Sequence, residues 1–140
     1  TTGIESAALV RGVVSLVRPD RVIAVDALSA REATRLCRAV QVTDAGIVPG
    51  SGVGNARSAL TEETLGVPVV AVGVPTVVDA RTLCADLSGT EIDLPEDTEL
   101  FVTPRDIDTR VRDSARLVGY AIDLALHDAL TIEDIDMFLA

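Results

Sequence analysis

Apolar positions recur along this chain in two rhythms, one with helical period and one in unbroken runs, and their order lays out the elements. Ile4, Ala7, Ala8, Val14 and Val17 return at helical spacing before Pro19. Thr2 and Glu5 have the spacing of a capping box, so a first helix is expected to open almost at residue 1. Pro19-Asp20 turns the chain into Val22-Ile23-Ala24-Val25, an apolar run without alternation. A run of that kind fits a strand buried on both faces. Asp26 stands at its end, and Ser29 with Glu32 repeats the capping-box spacing, which predicts a short helix through Leu36 and Cys37. Residues 39–43 read as a second strand, again followed by a carboxylate, Asp44.

Residues 44–56 hold four glycines and one proline, a stretch forced through special backbone angles or pressed against a neighbour. The spacing Gly50-x-Gly52-x-Gly54 has no Lys-Ser/Thr of a P-loop, and no dinucleotide-binding helix pattern follows it. A structured loop is expected, with binding of a substrate segment by its backbone as the sharper reading. Residues 60–65 suit one helical turn, stopped at Gly66. Residues 68–74 form a second continuous apolar run, matched in type to 22–25 and expected to pair with it in parallel. Pro75 is expected to break that strand, and residues 76–88 show helical spacing, with Asp79 in the first turn. An acidic connector at 90–99 leads to an edge strand at 100–102. Thr103-Pro104-Arg105-Asp106 then carries the cap, proline and acid of a helix start. The long helix that follows ends near His127, and Thr131 with Asp134 opens a last one.

The pattern amounts to one three-layer α/β/α domain, residues 1–140, around a mostly parallel sheet. Composition narrows this in three ways. Aromatics are 2% of a chain that is 48% hydrophobic, so Val, Leu, Ile and Ala must build the core. Net charge is -10 and every one of the 12 basic residues is Arg, which disfavours a nonspecific phosphate-binding surface and leaves room for a basic partner. Cys37 and Cys84 are isolated and read as reduced core thiols. With no apolar stretch of about 20 residues and no basic-then-apolar leader, a cytoplasmic protein is expected.

A single His, away from any strand end, sets aside Ser and Cys triads. Asp26, Asp44 and Asp79 each follow a predicted strand, and the ends of strands in open α/β sheets collect ligands. Gathered in one crevice, they suit a carboxylate pair that shares a proton and activates water, or a hard-metal site of oxygen ligands. Read singly, they are ordinary turn and cap aspartates.

Several segments together resemble the germination protease (spore protease) family. They are Val22-Ile23-Ala24-Val25-Asp26-Ala27-Leu28, Pro49-Gly50-Ser51-Gly52-Val53-Gly54-Asn55, Leu65-Gly66-Val67-Pro68-Val69, Gly73-Val74-Pro75-Thr76-Val77-Val78-Asp79-Ala80 and Leu100-Phe101-Val102-Thr103-Pro104. The resemblance implies an endopeptidase of spore-forming bacteria that degrades small acid-soluble spore proteins at germination. It further implies synthesis as a zymogen, homo-oligomers, the spore core as location, no cofactor or metal, and the fold of hydrogenase-maturation peptidases. The implied mechanism is of an unusual aspartic type with two aspartates. One corresponds to Asp26, and the other belongs to a strand–loop segment before Thr1, which agrees with a chain that opens on a helix and not a strand. Beside these, Gly50, Ser51, Gly52, Gly54 and Asn55 are expected to cradle an extended substrate, with Thr76 and Asp79 on the opposite wall. The competing readings are a non-catalytic binding or assembly relative and a metal-dependent maturation-type peptidase.

Overall fold

The computed structural model describes residues 5–51, 57–90, 95 and 99–139. The proposed Thr2 cap and three of the loop residues, Gly52, Gly54 and Asn55, lie outside them. By its contacts the chain divides into two compact units, Thr1–Pro104 and Arg105–Ala140.

In the first unit, helical spacing yields α1, Ser6–Val17. Glu5 stands at its N-cap without capping it; its carboxylate accepts instead from the Ser58 N–H at 3.0 Å. The two apolar runs become β1, Val22–Ala30, and β3, Val69–Asp79, paired in parallel as expected. Between them β2, Gln41–Thr43, joins the other side of β3 antiparallel, and β4, Phe101–Val102, pairs antiparallel with the end of β3. The architecture is of the three-layer α/β/α class, but its four-stranded sheet is mixed, not mostly parallel. Parallel neighbours require a long crossover, normally through a helix. Among the described residues the connection from β2 to β3 holds one helix, α2, the four-residue Glu62–Leu65, and an antiparallel Ile47–Leu60 bridge folds it back on itself. That excursion returns the chain beside β2 in the opposite sense.

Two strand ends differ from the sequence pattern. No helix begins at Ser29: residues 27–30 continue along β3, and only a 3-10 turn, Ala33–Arg35, follows. Ladder hydrogen bonds to β3 take the place of the cap, so Asp26 lies inside a strand. Nor does Pro75 end β3. Leu28 faces Pro75 and Ser29 faces Val77, leaving Thr76 as a bulge where a residue without an N–H is tolerated. The helix α3, Ala80–Ser88, therefore starts four residues later than its spacing suggests.

Ala7, Leu60, Leu65 and Val69 are buried together, with Val10, Val22, Ala24, Ile47 and Val67 against them. This sets α1 together with Ile47, Leu60, Leu65 and Val67 on the sheet face that carries Val22 and Ala24. Each buried Val or Leu contributes about 1.5–3 kcal/mol. Asp26 is the next residue along that same face.

The second unit holds α4, Ile107–Leu126, and α5, Ile132–Leu139. Thr103 does not cap α4; its hydroxyl donates to the Thr76 carbonyl at 2.8 Å, within the first unit. Asp106 stands at the helix start, where the Arg110 guanidinium, at 2.8 Å, holds its carboxyl below the usual value. Thr131 and Asp134 open α5 as expected, and reciprocal hydrogen bonds between them close a capping box. Among the described residues no helix is long and apolar enough to cross a membrane.

Candidate active site

Asp26 is half-buried, and its Oδ1 accepts from the N–H of its own neighbour Ala27 at 2.9 Å. Among the described residues that is its one hydrogen bond, which leaves Oδ2 uncommitted. Across the sheet Asp26 faces Gly73, and Gly73 faces Gln41 on the far side. The row on this face therefore reads carboxylate, bare Cα, carboxamide. A Cβ added at Gly73 would stand 2.7 Å from Leu28 Cγ and closer still to Cδ1. Leu28 leans back over the glycine and fills the notch in the row. Gly73 is thus a close-approach glycine inside a strand, a use the sequence can suggest but not specify.

Past Leu28 the surface opens into a groove of about 570 Å³, lined by Leu28, Ser29, Ala30, Arg31, Ser51, Asp79 and Thr82. Ser51 comes from the glycine loop. Gly50 beside it takes φ +76°, and the Ser51 N–H donates to Val48 O at 3.2 Å. Pro49 O accepts from the Arg57 N–H at 3.1 Å, which ties the two described flanks of the loop together. Asp79 enters from the end of β3, where its Oδ1 accepts from the backbone N–H groups of Arg81 and Thr82 at 2.8 and 3.3 Å. Its structural reading as an N-cap of α3 is realised in full.

The structure thus brings Ser51 and Asp79 into one groove, with Asp26 two residues upstream on β1 and not in its lining. Thr76 is not among the lining residues either; its carbonyl is taken by Thr103. Asp44 is elsewhere, in a separate hollow of about 590 Å³ with Ala45, Thr61, Glu62 and Glu63. The expectation that three strand-end aspartates share a crevice fails because β2 runs antiparallel. Thr43 faces Ala71, so Asp44 emerges toward the opposite end of β3 from Asp79. Among the described residues, no three of His, Cys, Asp and Glu converge closely enough to hold a metal ion. Arg31 and Thr82 carried no sequence signal, and Leu28 only as the end of the Val22–Leu28 segment; their place in the groove follows from the unexpected length of β1 and the late start of α3.

A family model described as germination protease matches residues 1–90, which take in α1 through α3 and both grooves. The chain belongs to the germination protease family. It is 37% identical to the germination protease of Clostridium tetani, over 99% of this chain and 53% of that protein. The germination protease of Caldanaerobacter subterraneus subsp. tengcongensis is 38% identical, over 99% and 52%. That of Bacillus subtilis is 55% identical over 85 residues, 61% of this chain and 23% of the relative. The chain spans about half the length of the relatives that it matches throughout. For this germination protease family member, Asp26, Gly73, Ser51 and Asp79 all fall within the part that the family model matches.

Proposed function

We propose that the chain is part of an endopeptidase that degrades small acid-soluble spore proteins at germination, with Asp26 as a catalytic carboxylate. The observation that carries this reading is Asp26 itself. In a family of proteases, it is held on a sheet face with one oxygen fixed by Ala27 and the other uncommitted, next to a groove that opens to solvent. Such a carboxylate is suited to orient and deprotonate a water that attacks a peptide carbonyl. A second carboxylate, from polypeptide outside these residues, protonates the departing amine and shares the proton between cycles. The turn at Gly50 and Ser51 holds one side of an extended substrate, and Asp79 bounds the other, with Thr76 three residues before it on β3 and outside the groove's lining; Gly52, Gly54 and Asn55 are assigned to the same cradle. The same reading includes a zymogen stage, a homo-oligomer, the spore core as location and kinship in fold with hydrogenase-maturation peptidases.

The test is cleavage of a purified small acid-soluble spore protein by the full-length protein and its Asp26→Asn variant. The expected result is loss of turnover by about a hundredfold or more with little change in melting temperature. Equal turnover by the two proteins would refute the role of Asp26.

A further inference from the structure

Leu28 occupies a position that the catalytic proposal leaves unused. On β1 it follows Asp26 by two residues and so projects on the same face. Its branched end rests over Gly73, the residue directly across from Asp26, and its flank lines the groove that contains Ser51 and Arg31. One side chain is therefore both the boundary of the carboxylate's surroundings and the near wall of the groove. Its position depends on the missing Cβ of residue 73. A methyl there would stand 2.7 Å from Leu28 Cγ, well inside contact distance, so Leu28 would have to move. Below lie the backbones of the two strands. Beside it lie Asp26 and the groove. Displacement toward the groove that Leu28 lines would take up space where a ligand would lie.

We infer that Leu28, seated on Gly73, is the adjustable wall of a subsite for a side chain of the peptide substrate, and that the bare Cα of Gly73 sets the depth of that subsite. This rests on the proposed peptidase reading and extends it to specificity. A substrate whose scissile peptide lies at Asp26 runs in extended form along the end of β1. One neighbouring side chain then enters the groove past Leu28. The wall is apolar at Leu28, and Ser29, Ser51 and Arg31 supply the polar rim. An occupant with an aliphatic stem meets the wall along its length, with its tip at the rim. Adding or removing one or two carbons at such a wall changes discrimination by about tenfold per step.

The experiment uses the full-length protein in four forms: wild type, Gly73→Ala, Leu28→Ala and Gly73→Ala/Leu28→Ala. The probes are two peptides cut from an acid-soluble spore protein, identical except for a small or a large side chain next to the scissile bond. Cleavage is read as kcat and KM. Affinity is read separately by fluorescence polarisation on the Asp26→Asn background, where hydrolysis is not required. Gly73→Ala should weaken binding of the large-side-chain peptide about tenfold and spare the small one. Leu28→Ala should shift preference toward the large peptide, and the double variant should recover the binding that Gly73→Ala loses, since the clash has gone. Merely structural damage would lower kcat for both peptides alike and would not be rescued by a second truncation. If the four forms bind the two peptides in one fixed ratio while wild type cleaves them, the subsite assignment is wrong and the peptidase reading stands. If the ratios move as expected and no form cleaves, the subsite stands and the catalytic reading falls. Absence of binding to both peptides in all four forms overturns both.

Discussion

Asp26 and Asp79 are both carboxylates on β-strands of one sheet, and their neighbours give them different work. Asp79 is committed: two backbone N–H groups of α3 end on the same oxygen. Asp79→Ala should therefore cost about 1 kcal/mol of stability, and Asp79→Asn much less, because Asn caps nearly as well. Urea denaturation of the two variants checks this; equal losses would show that charge matters more than capping. Asp26, among the described residues, has its one bond to Ala27 and so can lose its charge, as Asn, without leaving a helix uncapped. Both residues were legible as candidates because each follows a predicted strand. What was not legible was the split between them. Spacing from the last apolar residue fixes neither where pairing stops nor which N–H groups a carboxylate will meet.

At the level of elements, short-range signals held where nothing competed with them. Thr61 and Thr64 close a capping box on α2, and Gly66 ends that helix at φ +75°, as its sequence suggests. Ser29 and Glu32 offer the same spacing but lose to a parallel ladder that reaches Ala30. A cap contributes about 1 kcal/mol, and continued pairing with burial of Ala30 outweighs it. The Thr131–Asp134 box on α5 is open to a direct pH test. Hydrogen bonds from the Thr131 N–H and hydroxyl, at 2.9 and 2.8 Å, hold the Asp134 carboxyl below its ordinary 3.8. A folded value below the unfolded one means that the stabilisation is present above 3.8 and is lost as pH falls through the folded value. Asp134→Asn should thus weaken α5 at neutral pH, and the gap should narrow as pH falls below 3.8, read by helical circular dichroism. An unchanged gap between the two proteins at low pH would contradict it. In the same helix Ile135 is 1% exposed, and Ile135→Ala should cost about 2–5 kcal/mol in a urea melt.

Among the described residues of the whole chain, β3 is the one strand that touches the other three. The α/β class and the parallel pairing of the two apolar runs were readable from the sequence, since unbroken Val-rich runs have few other uses. The antiparallel sense of β2 was not, because it depends on how residues 44–68 fold back, and that stretch carries glycines in place of a crossover helix. The centrality of β3 has a consequence for the order in which the chain assembles. Val22 finds its partner Val69 only after about 47 further residues have been made. Until then β1 has no ladder, and α1 has only part of the face it packs on. A fragment of residues 1–68 should accordingly give no strand signal by circular dichroism, whereas residues 1–104 should give one. Closure over so long a separation is slow compared with local helix formation. During synthesis the strand that carries Asp26 waits, apolar and unpaired, for the arrival of β3. The carboxylate is thus assembled late, when the strand opposite it closes the sheet and brings in Gly73.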